Sequence, residues 1–208
     1  MATDDQGMHW GRFTFYVVFI LFAIGVILAF GVGGLRPIQI TQHSMRPGFE
    51  PGDFIFSFPQ ETYHRGDIVI LDSPTGSGEL LIKRIAGVPG DRLFVDAGCL
   101  FINGKYASEP YILEPMSYSI EELTVPEGEV FVLGDNRNES EDSSLWRIDA
   151  TTGIAELMDS YDASGGQPGV WKRTVPISSI IGKASYRYLP FDRMGAIQSF
   201  PLTNVDGE

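Results

Sequence analysis

Charge is absent from Phe13 to Leu35, a run of 23 residues (FTFYVVFILFAIGVILAFGVGGL) bounded by Arg12 and Arg36. As a helix this run is about 35 Å long, enough to cross the hydrocarbon core of a bilayer. No polar face interrupts it, so it does not read as a helix packed one-sidedly on a soluble core. It is longer than the apolar part of a secretory signal, and the segment before it is hardly basic. It therefore reads as an uncleaved anchor. Orientation does not follow from charge. Arg12 lies on one side, and Arg36 and Arg46 on the other, a weak bias toward a cytoplasmic C-terminal part.

Beyond Leu35 the pattern changes to short β-rich runs separated by Gly, Pro, Asp and Asn. Strands are expected near 38–42, 53–58, 67–71, 80–86, 92–95, 100–102, 129–133 and 180–188. Asn103-Gly104 signals a hairpin turn, and Pro-Gly pairs at 47–48, 51–52 and 89–90 mark corners. No internal repeat or heptad is present. Residues 145–174 contain DASGGQPG and little periodicity, and read as a surface insertion. The expected organisation is a segment 1–12, an anchor 13–35 and a β-rich domain 36–208.

Composition narrows the class. With 24 Gly and 13 Pro, the chain fits a turn-rich all-β domain better than a helical bundle. A net charge of −12 argues against a nucleic-acid partner, which needs a basic face. Cys99 is the only cysteine, so no intramolecular disulfide forms, and the thiol is expected as a small buried group.

The chemistry-bearing segments are HSMRPGFEPGDF (43–54), LIKRIAGVPGD (81–91) and VLGDNRNESEDS (132–143). No HExxH or Cys/His cluster supports a metal site, no GxxxxGK[ST] supports a phosphate loop, and no GxSxG surrounds a serine. A Ser-His-Asp triad would need His43 or His64. His43 directly precedes Ser44, so on an extended strand the two side chains point apart. His64 lies in YHRGD, which reads as a surface turn. A serine hydroxyl needs a base to remove its proton, and a lysine serves only when neutral. Free lysine, with a pKa of about 10.4, is neutral in roughly one part in a thousand at pH 7.4. Lys83 follows Leu80, Leu81 and Ile82 and precedes Ile85, a setting in which a strand carries a lysine into an apolar site. On pattern alone two readings stand: a buried base, or a polar-face lysine beside a serine that merely opens a Pro-Gly turn.

Taken in order, these segments resemble the signature boxes of the bacterial type I signal peptidases, Ser-Lys proteases. They comprise Ser44-Met45-Arg46-Pro47 behind the anchor, Gly66-Asp67-Ile68-Val69, and Lys83-Arg84-Ile85-Ala86-Gly87-Val88-Pro89-Gly90-Asp91. Gly134-Asp135-Asn136 follows, continuing through Ser140 to Asp142-Ser143, and Ile181-Gly182-Lys183-Ala184 is similar to the family's closing strand. The resemblance covers roughly Ile38 to Arg193. It implies an antiparallel β-sheet catalytic domain of signal-peptidase type behind one transmembrane helix. Ser44 is then the nucleophile and Lys83 the general base, with Ser140 hydrogen-bonded to the lysine. The Ser44 N–H is one oxyanion donor. A second donor is expected two positions earlier, where a small residue is usual and Gln42 stands here. Arg84, Asp135 and Asp142 match a supporting polar network. Ile38, Ile40 and Ile82 match the lining of pockets for a small-x-small cleavage site, although core packing is the other reading for them.

The chain departs from the family pattern at Ser144, where Arg is common, at Gly48-Phe49, where Thr-Leu is common, and in the long segment 145–174. The implied substrates are secretory preproteins, cut at a bilayer surface only nine residues beyond Leu35. Met45, Phe49, Phe54 and Phe56 are candidates to dip into the interface, with core packing the alternative for the last two. The resemblance places the β-domain on the extracytoplasmic side of the cell membrane in a single-pass arrangement. It implies no metal, no cofactor and no oligomer. Two other functions fit parts of the pattern: a dedicated Ser-Lys peptidase of one secretion or conjugation system, and an inactive membrane-tethered binding domain.

Overall fold

A computed structural model of the chain describes residues 5–32, 34–149, 152–157 and 171–202. Two compact units result, Met1–Arg36 and Pro37–Glu208.

The first unit is helix α1 (Asp5–Ile27), continued by a π-helical turn over Leu28–Val32. Helical hydrogen bonding starts before Phe13, because an apolar run marks what lipid can accept and not where a helix begins. The window Trp10–Ile27 has mean hydropathy 1.9. Its large side chains are exposed, including Phe13, Phe19 and Phe22, so among the described residues of its own unit the helix has no apolar partner.

The second unit is built from antiparallel strands. In chain order they are β1 (Arg36–Gln39), β2 (Phe54–Phe58), β3 (Ile68–Asp72), β4 (Leu80–Gly87) and β5 (Arg92–Asp96). Next come β6 (Cys99–Ile102), β7 (Lys105–Tyr106), β8 (Ile120–Thr124), β9 (Glu129–Leu133) and β10 (Trp146–Asp149). The last are β11 (Ala155–Leu157), β12 (Trp171–Lys172), β13 (Val175–Pro176), β14 (Ile180–Leu189) and β15 (Gly195–Ala196). The main sheet runs β1-β2-β14-β3-β4-β9-β13, with β15 on β14; β7-β6-β5-β8 and β11-β10-β12 form smaller sheets. The expected all-β antiparallel class is what is found. Asn103 and Gly104 form the two-residue turn from β6 to β7, both with positive φ (53° and 77°), the geometry that favours Asn-Gly.

Three apolar clusters hold the sheets together. Leu93, Leu100, Ile102 and Phe131 join the four-stranded sheet to β9. Val69, Leu81, Ile85, Val132, Trp146 and Ile148 join the three-stranded sheet to β3, β4 and β9. Ile40, Met45, Phe49, Ile55, Ile70 and Ile82 pack the chain after β1 onto β2, β3 and β4. The segment 145–174 is therefore more than a surface excursion. Trp146 and Ile148 at its start are buried, and β10 pairs with both β11 and β12. Residues 150–151 and 158–170 of that segment lie outside the described residues.

Candidate active site

Ser44 opens a tight turn in which Arg46 N donates to His43 O and Phe49 N to Met45 O. The turn is fixed from below, because Met45 and Phe49 are 0% and 3% exposed and belong to the core. They do not offer themselves to a membrane interface, since each loses more water contact in the core than at a surface. Phe56 stacks on Tyr188, with ring centroids 4.3 Å apart. His43 and His64 are exposed, and Cys99 is half-buried, not fully buried as expected.

Lys83 sits in the middle of β4, opposite Val69 of β3, and shares a strand face with Leu81 and Ile85, which enter the second apolar cluster. That placement buries it: Lys83 is 1% exposed and Ser44 5%. Lys83 Nζ donates to Ser44 Oγ at 2.8 Å. Burial lowers the lysine pKa from 10.5 to about 8, opposed by the negative charges of Asp142, Glu141 and Asp135. At pH 7.4 roughly a fifth of such lysines are neutral, against about one part in a thousand for a free one. A neutral amine at this distance accepts the hydroxyl proton.

The chain between β9 and β10 closes the site. Asn136 N donates to Ser44 O at 3.0 Å, and Asn136 Nδ2 to His43 O at 3.3 Å, tying this loop to the serine turn. Gly134 is gripped at both ends of its backbone: its N–H donates to Asp142 Oδ2 at 2.8 Å, and its carbonyl accepts from Arg137 Nε at 3.0 Å. Glycine is required there, because a Cβ would stand 2.2 Å from Ser140 Oγ and 2.5 Å from Ser44 O. Asp142 also accepts from Ser144 N at 2.8 Å, so backbone amides satisfy its carboxylate. Arg84 forks onto Asp135 (2.8 and 2.7 Å), donates to Gly66 O at 2.8 Å and lies 3.9 Å over the Tyr111 ring. Burial holds the Asp135 pKa up, against the pull of Arg84.

Ser140 departs from expectation. It is buried, yet its Oγ has no hydrogen-bond partner among the described residues. The expected bond to Lys83 is not made: the lysine donates to Ser44, while Ser140 Oγ lies against Gly134.

Ile38, Ile40, Gln42 and Ile82 line one groove of about 360 Å³ between the chain at 37–42 and the start of β4. Ile40 and Ile82 also belong to the third apolar cluster and Ile38 packs against it, so groove lining and core packing coexist. Among the described residues no cluster of three or more His, Cys, Asp or Glu side chains is arranged to hold a metal ion.

Two ion-pair networks around the site carried no sequence signal. Arg137, 1% exposed, forks onto Glu109 at 2.7 and 2.5 Å, and Tyr111 donates to Glu109 at 2.8 Å. Arg187 and Arg193 both pair with buried Asp53 and donate to Gly48 O beside the serine turn.

Comparison with known proteins places this chain in a family. The family model described as signal peptidase, peptidase S26, matches residues 13–189. A probable signal peptidase I-1 of Synechocystis is 30% identical over 88% of this chain and 85% of its own length. Signal peptidase I of Leptolyngbya laminosa is 31% identical, covering 84% of this chain and 79% of that protein. Thylakoidal processing peptidase 1 of Arabidopsis thaliana is 32% identical over 81% of this chain but only 46% of that longer protein. A solved signal peptidase I from Enterococcus faecalis is 27% identical, covering 60% of this chain and 98% of that one, with a TM-score of 0.42. On the family match and these relatives, the chain belongs to the signal peptidase family, peptidase S26.

Proposed function

We propose that this protein is a membrane-bound serine endopeptidase that removes N-terminal signal peptides from secretory preproteins, with Ser44 as nucleophile and Lys83 as general base. The observation that carries this reading is the buried 2.8 Å contact between the two side chains, with the lysine pKa lowered to about 8. Ser44 Oγ attacks the scissile carbonyl carbon as its proton passes to Lys83 Nζ. The lysine then protonates the leaving amine, and an acyl-serine remains. Water attacks the ester as Lys83 takes its proton; the acyl–Oγ bond then breaks, the proton passes from Lys83 to Ser44 Oγ, and the signal peptide leaves as its carboxylate.

The developing oxyanion needs donors aimed at it. Among the described residues the Ser44 N–H makes no hydrogen bond, which leaves it available. Gln42, on the groove wall, supplies the second donor through its side-chain amide. The Ser140 hydroxyl, unpartnered in the resting protein, turns to the lysine during the cycle and holds its orientation. Arg84, Asp135 and Asp142 act through structure, by fixing the loops that carry these groups.

The substrate lies extended in the groove as an added strand. Ile38, Ile40 and Ile82 limit its pockets to small side chains at the first and third positions before the cut. Helix α1 anchors the chain in the cell membrane, with residues 1–12 cytoplasmic and the β-domain extracytoplasmic, where signal peptides emerge.

The test uses the full-length protein in liposomes with a preprotein bearing an Ala-x-Ala site, the cut being mapped by mass spectrometry. Cutting after the second Ala by wild type, with Ser44→Ala and Lys83→Met inert, is the expected result. Variants that cut as well as wild type would remove the dyad from the mechanism.

A further inference from the structure

The groove assigned to substrate is apolar near the dyad and acidic at its far end. Ile40 and Ile82 lie at the inner end, and among the described residues Glu79 is the one charged residue on its lining. The Glu79 backbone is fixed by the turn between β3 and β4: its N–H donates to Ser77 Oγ at 3.3 Å, and its carbonyl accepts from Ser73 N at 2.9 Å. Its side chain is exposed and, among the described residues, its carboxylate has neither ion pair nor hydrogen bond. Asp72, exposed and paired in register with Leu80, adds a second carboxylate at the same end.

We infer that Glu79 is a specificity-determining residue that favours substrates with a basic side chain about four or five residues before the cut and disfavours acidic ones there. The inference rests on the proposed processing function. Register gives the position. Glu79 stands four residues before Lys83, about 13 Å along an extended chain. β9 pairs with β4 only from Arg84 onward, so among the described residues the edge of β4 away from β3 is open over residues 80–83. A substrate strand running parallel to β4 along that edge advances at the same rise, so with its reacting carbonyl at the dyad its fourth or fifth upstream residue reaches Glu79. No cation on the lining neutralises the carboxylate, and the open end of the groove keeps it hydrated. The selection is therefore modest and sensitive to salt.

The test uses full-length protein in zwitterionic phosphatidylcholine vesicles, which add no net surface charge. Three otherwise identical Ala-x-Ala substrates carry Lys, Gln or Glu at the fourth and fifth positions before the cut. Wild type is expected to show kcat/KM in the order Lys, Gln, Glu, each step about two- to five-fold, the range an exposed charge pair supplies. High salt and Glu79→Gln should flatten the order, and Glu79→Lys should reverse it. Equal cutting of all three substrates by wild type, or an order unchanged in both variants, overturns the inference while leaving the processing function intact. Failure to cut even the Gln substrate overturns the function and the inference together.

Discussion

The burial that lowers the Lys83 pKa also penalises the folded state whenever the lysine is charged. Its folded pKa of about 8 lies below the 10.5 of the free side chain. Between those values the unfolded chain holds a proton that the folded chain has lost, so stability rises with pH across that window. Below about pH 8 both states are protonated and the whole penalty is present, about 3 kcal/mol. Lys83→Met should therefore raise the unfolding free energy at pH 7 by up to about 3 kcal/mol, read from urea melts. An unchanged or lower value would mean that the lysine is not desolvated. Gly134 is the second residue under constraint. A methyl group there meets Ser140 Oγ and Ser44 O inside contact distance. Gly134→Ala should cut kcat by about 10²-fold with little change in KM, since a displacement near 1 Å is enough to spoil attack geometry. Steady-state kinetics on a peptide substrate would show this, and a variant with wild-type kcat would contradict the packing described.

At the scale of elements, the loop from β9 to β10 is held by a partner from outside the signature boxes. Glu109 and Arg137 are 28 residues apart and almost wholly buried. Truncating either leaves a buried charge uncompensated, so Arg137→Ala should cost about 3–5 kcal/mol in denaturant unfolding. A cost near zero would show that the pair is solvated. Such a contact explains what was legible in the sequence and what was not. The anchor and the strands at 54–58, 80–87 and 129–133 carry their period in consecutive residues, and were readable. Strands β8 and β10 to β13 are short, polar or interrupted, and they form because a sheet elsewhere in the chain receives their hydrogen bonds. Trp146 looked like the start of a loop and is 0% exposed. Likewise, the boxes identify which side chains meet at the dyad, but the long-range pairings of Arg137 with Glu109, and of Asp53 with Arg187 and Arg193, leave no local pattern. The resting position of Ser140 depends on packing against Gly134, which no motif encodes.

For the whole molecule, the division into Met1–Arg36 and Pro37–Glu208 sets the expected behaviour of the parts. All three apolar clusters lie within the second unit. A chain starting at Arg36 should keep the thermal midpoint of the β-domain and cut a soluble peptide, while losing flotation with liposomes. A truncated chain that fails to fold would show that the helix contributes to the β-domain's stability. The central claim is that a lysine, not a histidine, is the base, and the pH dependence of kcat/KM tests it most directly. With the full-length protein on a peptide substrate, kcat/KM should rise about tenfold per pH unit below a midpoint near 8 and then level off, as Lys83 loses its proton. A midpoint near 6.5, the range of an ordinary imidazole, would contradict the account and return His43 or His64 to the mechanism.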